Sequence, residues 1–195
     1  MKLEEQPIPG ITEIVPTYRS VMIHYEPEVL PYDKLTALVE QMLKDSHEMQ
    51  VPKGLLVRVP VCYGGQFGPD LSYVAAHHGI SEEEVIRIHT APEYLIYMLG
   101  FTPGFAYMGG MDEAIATPRL KTPRQLIPAG SVGIAGSQTG IYPIDSPGGW
   151  QLIGQTPLKL YDPHREEPIL FAAGQRVQFY PVDEKKFMSM KEQNQ

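Results

Sequence analysis

The residues of this 195-residue chain best suited to chemistry gather in a few short stretches. In His89-Thr90-Ala91-Pro92-Glu93-Tyr94 a histidine stands between helix-like and strand-like sequence. Side chains at such element ends face clefts, and an imidazole that titrates near about 6.5 suits proton transfer. The same position suits a histidine that satisfies the last carbonyls of a helix. The run from Gly100 to Gly110 interleaves Phe101, Phe105 and Tyr107 with glycines. Such a loop brings its backbone close to a small planar ligand, or packs its rings beneath a barrel. Thr-Pro-Arg occurs twice, ending at Arg119 and Arg124. Each guanidinium is a rigid fork for carboxylate or phosphate, or a solvated loop arginine. Two last stretches, Gly136 to Pro143 and Asp145 to Trp150, combine Gln138, Tyr142 and several hydroxyls with glycines. They supply neutral donors to a carbonyl ligand, or serve as hairpin turns.

Other chemistries fail at the motif level. The chain has no GxxxxGK[ST] loop, no GxGxxG and no HExxH, which removes the phosphate-loop, dinucleotide and zincin readings. Of the six histidines only His77 and His78 lie close together, and adjacent residues on a helix point apart, so no metal site is expected. Cys62 ends a strand-like alternation and reads as a buried thiol rather than a nucleophile.

These stretches need elements to hold them. Ile11 to Val15 and Ser20 to Tyr25 read as a strand pair. After Pro31, the residues Leu35, Leu38, Val39, Met42 and Leu43 recur at helical spacing, which predicts an amphipathic helix. Polar sequence from Ser46 to Gly54 marks a boundary between a first domain at 1–53 and a second at 54–195. In the second, Leu55 to Val61 alternates as a strand, and two short helices follow. One starts at Pro69-Asp70 and one behind the capping box Ser81 to Glu84. Eleven of the 18 glycines fall between Gly100 and Gly154, and Asp145 is the only charged residue between Gln125 and Thr156. Glycine and proline cost about 1 and 3 kcal/mol inside helices, so short strands and turns are expected there, closed into a compact β-barrel or sandwich. Tyr94–Met98, Gly130–Ala135, Trp150–Ile153, Leu158–Tyr161 and Arg176–Phe179 are the predicted strands, and Asp183 to Gln195 a frayed or loosely helical tail.

Composition narrows the function classes. A 43% hydrophobic content supports a folded core, and a net charge of −7 with 16 basic residues offers no field for a phosphate backbone, so no nucleic-acid partner is expected. No run of about 20 apolar residues predicts a membrane span. A lone Cys62 and an N-terminus with two acids and two prolines where a signal peptide needs apolar residues predict a cytoplasmic location.

Taken in order, Val15 to Pro27 (VPTYRSVMIHYEP), Pro60 to Leu71 (PVCYGGQFGPDL), His89 to Met111 and Thr117 to Leu158 resemble the KipI and allophanate hydrolase subunit 1 family over about residues 9–182. Bacterial members of that family are commonly the B subunit of 5-oxoprolinase. The resemblance implies an α+β ferredoxin-like first domain followed by an all-β, cyclophilin-like barrel. It implies a heteromeric, ATP-dependent amidohydrolase, in which a B subunit pairs with a C subunit as in a carboxyltransferase. Together with an A subunit they cleave the lactam 5-oxo-L-proline to L-glutamate. ATP would then sit at a site shared with, or located on, a partner. By the same resemblance the barrel cleft is lined by Tyr63, His89, Phe101, Phe105, Arg124, Gln138, Tyr142 and Trp150. His89 would be the acid/base, Arg124 the carboxylate clamp, and Gln138 with Tyr142 the donors to oxygen.

The resemblance also implies a strand and helix ahead of VPTYRS, so the first domain is expected to be incomplete and the less stable part. KipI itself inhibits a sensor histidine kinase, which makes a kinase-binding module the alternative function. Allophanate hydrolase or urea carboxylase chemistry is a related alternative, and prolyl isomerisation ranks third.

Overall fold

The computed structural model describes residues 7–18, 20–46 and 54–193. The chain divides into two compact units between Lys53 and Gly54.

In the first unit, Ile11–Pro16 (β1) and Val21–Tyr25 (β2) pair antiparallel, with an irregularity between Ile11 and Glu13. Thr17 closes the turn by donating its backbone N–H and its hydroxyl to the Ser20 carbonyl. The predicted helix is present as α1, Tyr32–Ser46. It starts at Pro31, whose carbonyl accepts the first helical N–H groups, and has Asp33 in its first turn and Lys44 in its last, each matching the helix dipole. Its apolar stripe is thinly covered: Leu35 is buried, but Leu43 is exposed.

The second unit is built on one seven-stranded sheet. Its strands are Leu56–Tyr63 (β3), Tyr94–Leu99 (β4), Ala106–Gly109 (β5), Ser131–Ala135 (β7), Gln138–Ile141 (β8), Gln151–Gln155 (β10) and Arg176–Pro181 (β11). Their order is β5-β4-β11-β3-β10-β7-β8, with β5 lying back against β8, so the sheet nearly closes into a barrel. Arg124–Ile127 (β6) and Ser146–Gly148 (β9) form a separate pair. β3 and β11 run parallel, and their inward residues Val59, Val61, Val177 and Phe179 are almost wholly buried. Two helices, Leu71–His78 (α2) and Glu82–Thr90 (α3), pack on each other and against β10 and β11. The capping box is realised at α3, where the Ser81 hydroxyl accepts the Glu84 N–H at 3.2 Å.

The strands use both faces. Inside, Val132, Ile134 and Ile141 join the main core with Tyr94, Ile96, Met108 and Phe179. Outside, Ala135, Phe105, Ile127, Tyr142, Trp150 and Leu152 form a second apolar cluster. Alternation along each strand explains the split, since successive side chains point to opposite faces.

Two expectations are corrected. Leu158–Tyr161 is not a strand: it runs through bends, with a single bridge from Tyr161 to Ile169. Its apolar Leu158 and Leu160 do pack on the main core, which explains the strand-like alternation. The tail, expected to be frayed or loosely helical, is an anchored helix over Glu184–Gln193 (α4), held by Phe187, which is 1% exposed and meets the Phe67 ring at 4.6 Å. One aromatic anchor in charged sequence is too sparse a signal to decide between a frayed and a helical tail.

Candidate functional site

Four of the expected residues converge on the outer face of the barrel. Phe101, Phe105, Tyr142 and Trp150 line a cavity of about 190 Å³, together with Tyr107, Arg119, Pro147, Gly148 and Gly149. Phe105 meets Trp150 edge-to-face at 5.8 Å, Tyr142 at 6.1 Å and Phe101 at 5.6 Å, the geometry the ring quadrupoles favour. The seat of the Trp150 indole is made by absence of side chains. Gly133 and Gly140 are direct cross-strand partners on β7 and β8. A Cβ on Gly140 would stand 3.1 Å from the Trp150 ring, and one on Gly133 3.1 Å from the Trp150 Cβ. The indole lies on the sheet because these two positions are bare.

Phe101 has an unusual conformation for its type. Its φ is +68°, in the region that favours glycine, and 67% of its surface is exposed. The loop that holds it is closed by Gly100 N–H to the Phe105 carbonyl at 3.1 Å and Phe105 N–H to the Thr102 carbonyl at 3.0 Å. An exposed ring on strained backbone at a cavity mouth is the kind of outlier that ligand contact explains.

Tyr142 is buried, and burial raises its pKa; the Trp150 backbone and the Arg119 and Arg124 charges oppose the rise. It is therefore a neutral hydroxyl at physiological pH, able to donate. Arg119 sits over the Trp150 ring at 5.9 Å. Sequence reasoning singles it out as half of the Thr-Pro-Arg pair but does not assign it to the site; the repeat itself is the available signal.

The other four residues lie elsewhere. Arg124 ion-pairs with Asp70 at 2.7 Å and donates to the Trp150 carbonyl at 3.3 Å. Asp70 also accepts the Leu152 N–H at 2.6 Å, so the pair ties the start of α2 to β10 and β6. Gln138 is half-buried at the start of β8, two residues from Gly140, and does not line the cavity. Tyr63 borders a different, open cleft with Cys62, Gly64 to Phe67, and Val182 to Glu184.

His89 is fully buried. The Thr139 hydroxyl donates to the Gly133 carbonyl at 3.1 Å, so its oxygen accepts from His89 Nε2 at 2.8 Å. The proton is then on Nε2, and Nδ1 accepts the Tyr63 hydroxyl at 2.8 Å. Tyr63 to His89 to Thr139 to Gly133 is one directional chain with every member satisfied. Phe179 stacks on the imidazole at 4.6 Å, and desolvation lowers the His89 pKa to about 3. Burial likewise pushes the Tyr63 phenol up. With both nitrogens engaged, acid/base work by His89 would require this chain to open.

Among the described residues no group of three His, Cys, Asp or Glu is placed to hold a metal ion, and no helix is long and apolar enough to cross a membrane.

Residues 1–171 match the model of the carboxyltransferase domain, subdomain C and D. The chain is 48% identical to the B subunit of 5-oxoprolinase from Bacillus subtilis (strain 168), with 98% of this chain and 84% of that protein covered. It is 47% identical to the B subunit of 5-oxoprolinase from Escherichia coli O157:H7, covering 91% of this chain and 81% of that one. Among solved structures, a conserved uncharacterized protein from Pyrococcus horikoshii is 46% identical with a TM-score of 0.66, over 95% of this chain and 85% of that chain. The urea amidolyase of K. lactis, 22% identical with a TM-score of 0.68, shares the fold over 99% of this chain and 13% of its own.

Proposed function

The chain belongs to the carboxyltransferase subdomain C and D family, and from that membership we propose that it works as the B subunit of an ATP-dependent 5-oxoprolinase, which opens 5-oxo-L-proline to L-glutamate. Identities of 47–48% to proteins of that name over most of both chains support the reading. On this chain the observation that carries it is the aromatic cavity with an arginine at its mouth. A flat, polar lactam needs ring faces to stack on, neutral donors for its carbonyl and a cation for its carboxylate, and Trp150 with Phe105, Tyr142 and Arg119 provide these types.

The cavity binds and orients, and the rest of the chemistry comes from elsewhere. Among the described residues that line it there is no carboxylate, imidazole, thiol or amine, which leaves the Tyr107 and Tyr142 phenols and the Arg119 guanidinium as its polar side chains and suits it to binding. Nor does it fit a nucleotide: about 190 Å³ is below the roughly 300–1,000 Å³ of pockets for drug-sized ligands, and one arginine is no cradle for a triphosphate. We place ATP and the reacting groups on the partners, the C and A subunits, in the cytoplasm, with no activity in this chain alone. A more distant likeness to a putative urea carboxylase of Emericella nidulans, at 24% identity, makes other small amides the competing substrates.

ATP-dependent glutamate release from 5-oxoproline tests the proposal, measured for this chain alone, with the C subunit, and with the C and A subunits together. Turnover only in the three-component mixture is expected. Folded, associated subunits that turn over urea or allophanate and leave 5-oxoproline intact would move the assignment to the competing amides.

A further inference from the structure

The two Thr-Pro-Arg arginines have different surroundings. Arg124 is committed to Asp70 at 2.7 Å and to the Trp150 carbonyl, and its partner Asp70 is itself pinned by the Leu152 amide. Arg119 is exposed, has no carboxylate partner among the described residues, and holds its guanidinium over the Trp150 ring inside the cavity lining. A guanidinium uses its face on an aromatic ring and keeps its N–H fork, in its own plane, for an anion. Among the described residues no acid lines the cavity, so its lining offers an anion no like charge.

We propose that Arg119 is the specificity-determining residue of this cavity, binding the carboxylate of a small lactam that stacks beside Trp150. The inference rests on the 5-oxoprolinase reading and adds to it which arginine reads the acid. It gives Arg124 the separate task of holding β6 and α2 against β10. Selectivity follows from charge, since 2-pyrrolidinone has the same lactam ring without a carboxylate, and the cavity gains nothing from Arg119 when that lactam binds.

The test uses the complete complex of all three subunits. Arg119→Met is expected to raise the KM for 5-oxo-L-proline tenfold or more, and to leave inhibition by 2-pyrrolidinone within about twofold of wild type. Arg119→Lys keeps the charge but loses the fork, and is expected to recover only part of the KM. Arg87→Met, which removes an exposed arginine of α3 paired with Glu84, controls for net charge and is expected to change neither value. A KM within twofold of wild type in an active Arg119→Met complex overturns the proposal while the 5-oxoprolinase reading stands. A wild-type complex that does not turn over 5-oxoproline overturns both.

Discussion

His89 concentrates what single residues can and cannot reveal. Its place in the sequence, in the last turn of α3 just ahead of β4, leaves both a catalytic and a capping role open. The structure instead makes it the middle of a buried hydrogen-bond chain from Tyr63 to Gly133. Its ordinary pKa of about 6.5 in the unfolded chain is lowered to about 3 in the fold by desolvation. The folded state therefore holds the neutral ring, and protonation favours the unfolded chain. The stability this provides is fully present above about pH 6.5 and is lost as pH falls toward 3. Urea unfolding midpoints of the wild type and His89→Gln, followed from pH 7 to 4, should diverge. The wild type should lose up to about 1.4 kcal/mol per pH unit more than the variant, because one extra proton binds on unfolding. Parallel pH profiles would contradict a neutral, buried His89. Of the four cavity residues, Phe101 and Phe105 stand out in the sequence because aromatic and glycine residues alternate there, whereas their grouping with Tyr142 and Trp150 is what the family resemblance implies. Choosing between Arg119 and Arg124 is beyond it, since the deciding partner Asp70 lies 54 positions from Arg124 and gives no local sign of the pairing.

At the scale of elements, legibility follows length and periodicity. The hairpin, α1, α2, α3, β3, β4, β7, β10 and β11 are readable because each has an apolar period or a cap. The short strands β5, β6, β8 and β9 have three or four residues each, too few for a period to show, and are defined by their partners. β8 shows what such a strand does. Thr139 and Ile141 face the core, and Gly140 faces Trp150, so one strand supplies both the anchor for His89 and the seat of the indole. Gly140→Ala puts a methyl 3.1 Å from the indole and 3.3 Å from the Phe105 ring. Overpacking of this kind costs about 1–3 kcal/mol. Trp150 is the only tryptophan, so its emission reports this site directly. Gly140→Ala should lower the denaturation midpoint and shift the Trp150 emission maximum, and an unchanged spectrum would show that Gly140 does not set the indole's position.

At the scale of the whole molecule the two units differ in how much apolar surface each removes from water. The second buries a main core from Val59 to Phe179 across its seven-stranded sheet and the helices α2 and α3. Among the described residues of the first, Leu35 is the only buried side chain, whereas Val15, Val21, Met22, Val29, Tyr32 and Leu43 are exposed. A two-stranded ribbon with one helix is marginal without further cover, because too little apolar area is buried to offset the entropy of ordering it. Buried area near 25 cal/mol per Å² then predicts a steep gradient of local stability between the units. In hydrogen exchange of the isolated chain, amides of β1 and β2 should exchange at least about a hundredfold faster than those at the centre of β3 and β11, a gap of about 2.7 kcal/mol in opening free energy. Adding the C and A subunits should slow the β1 and β2 amides if either partner covers those apolar side chains, and leave β3 and β11 unchanged. Equal protection of both units in the isolated chain would mean that the first is stabilised by something other than its own buried surface, and its exposed apolar side chains would need no cover from a partner.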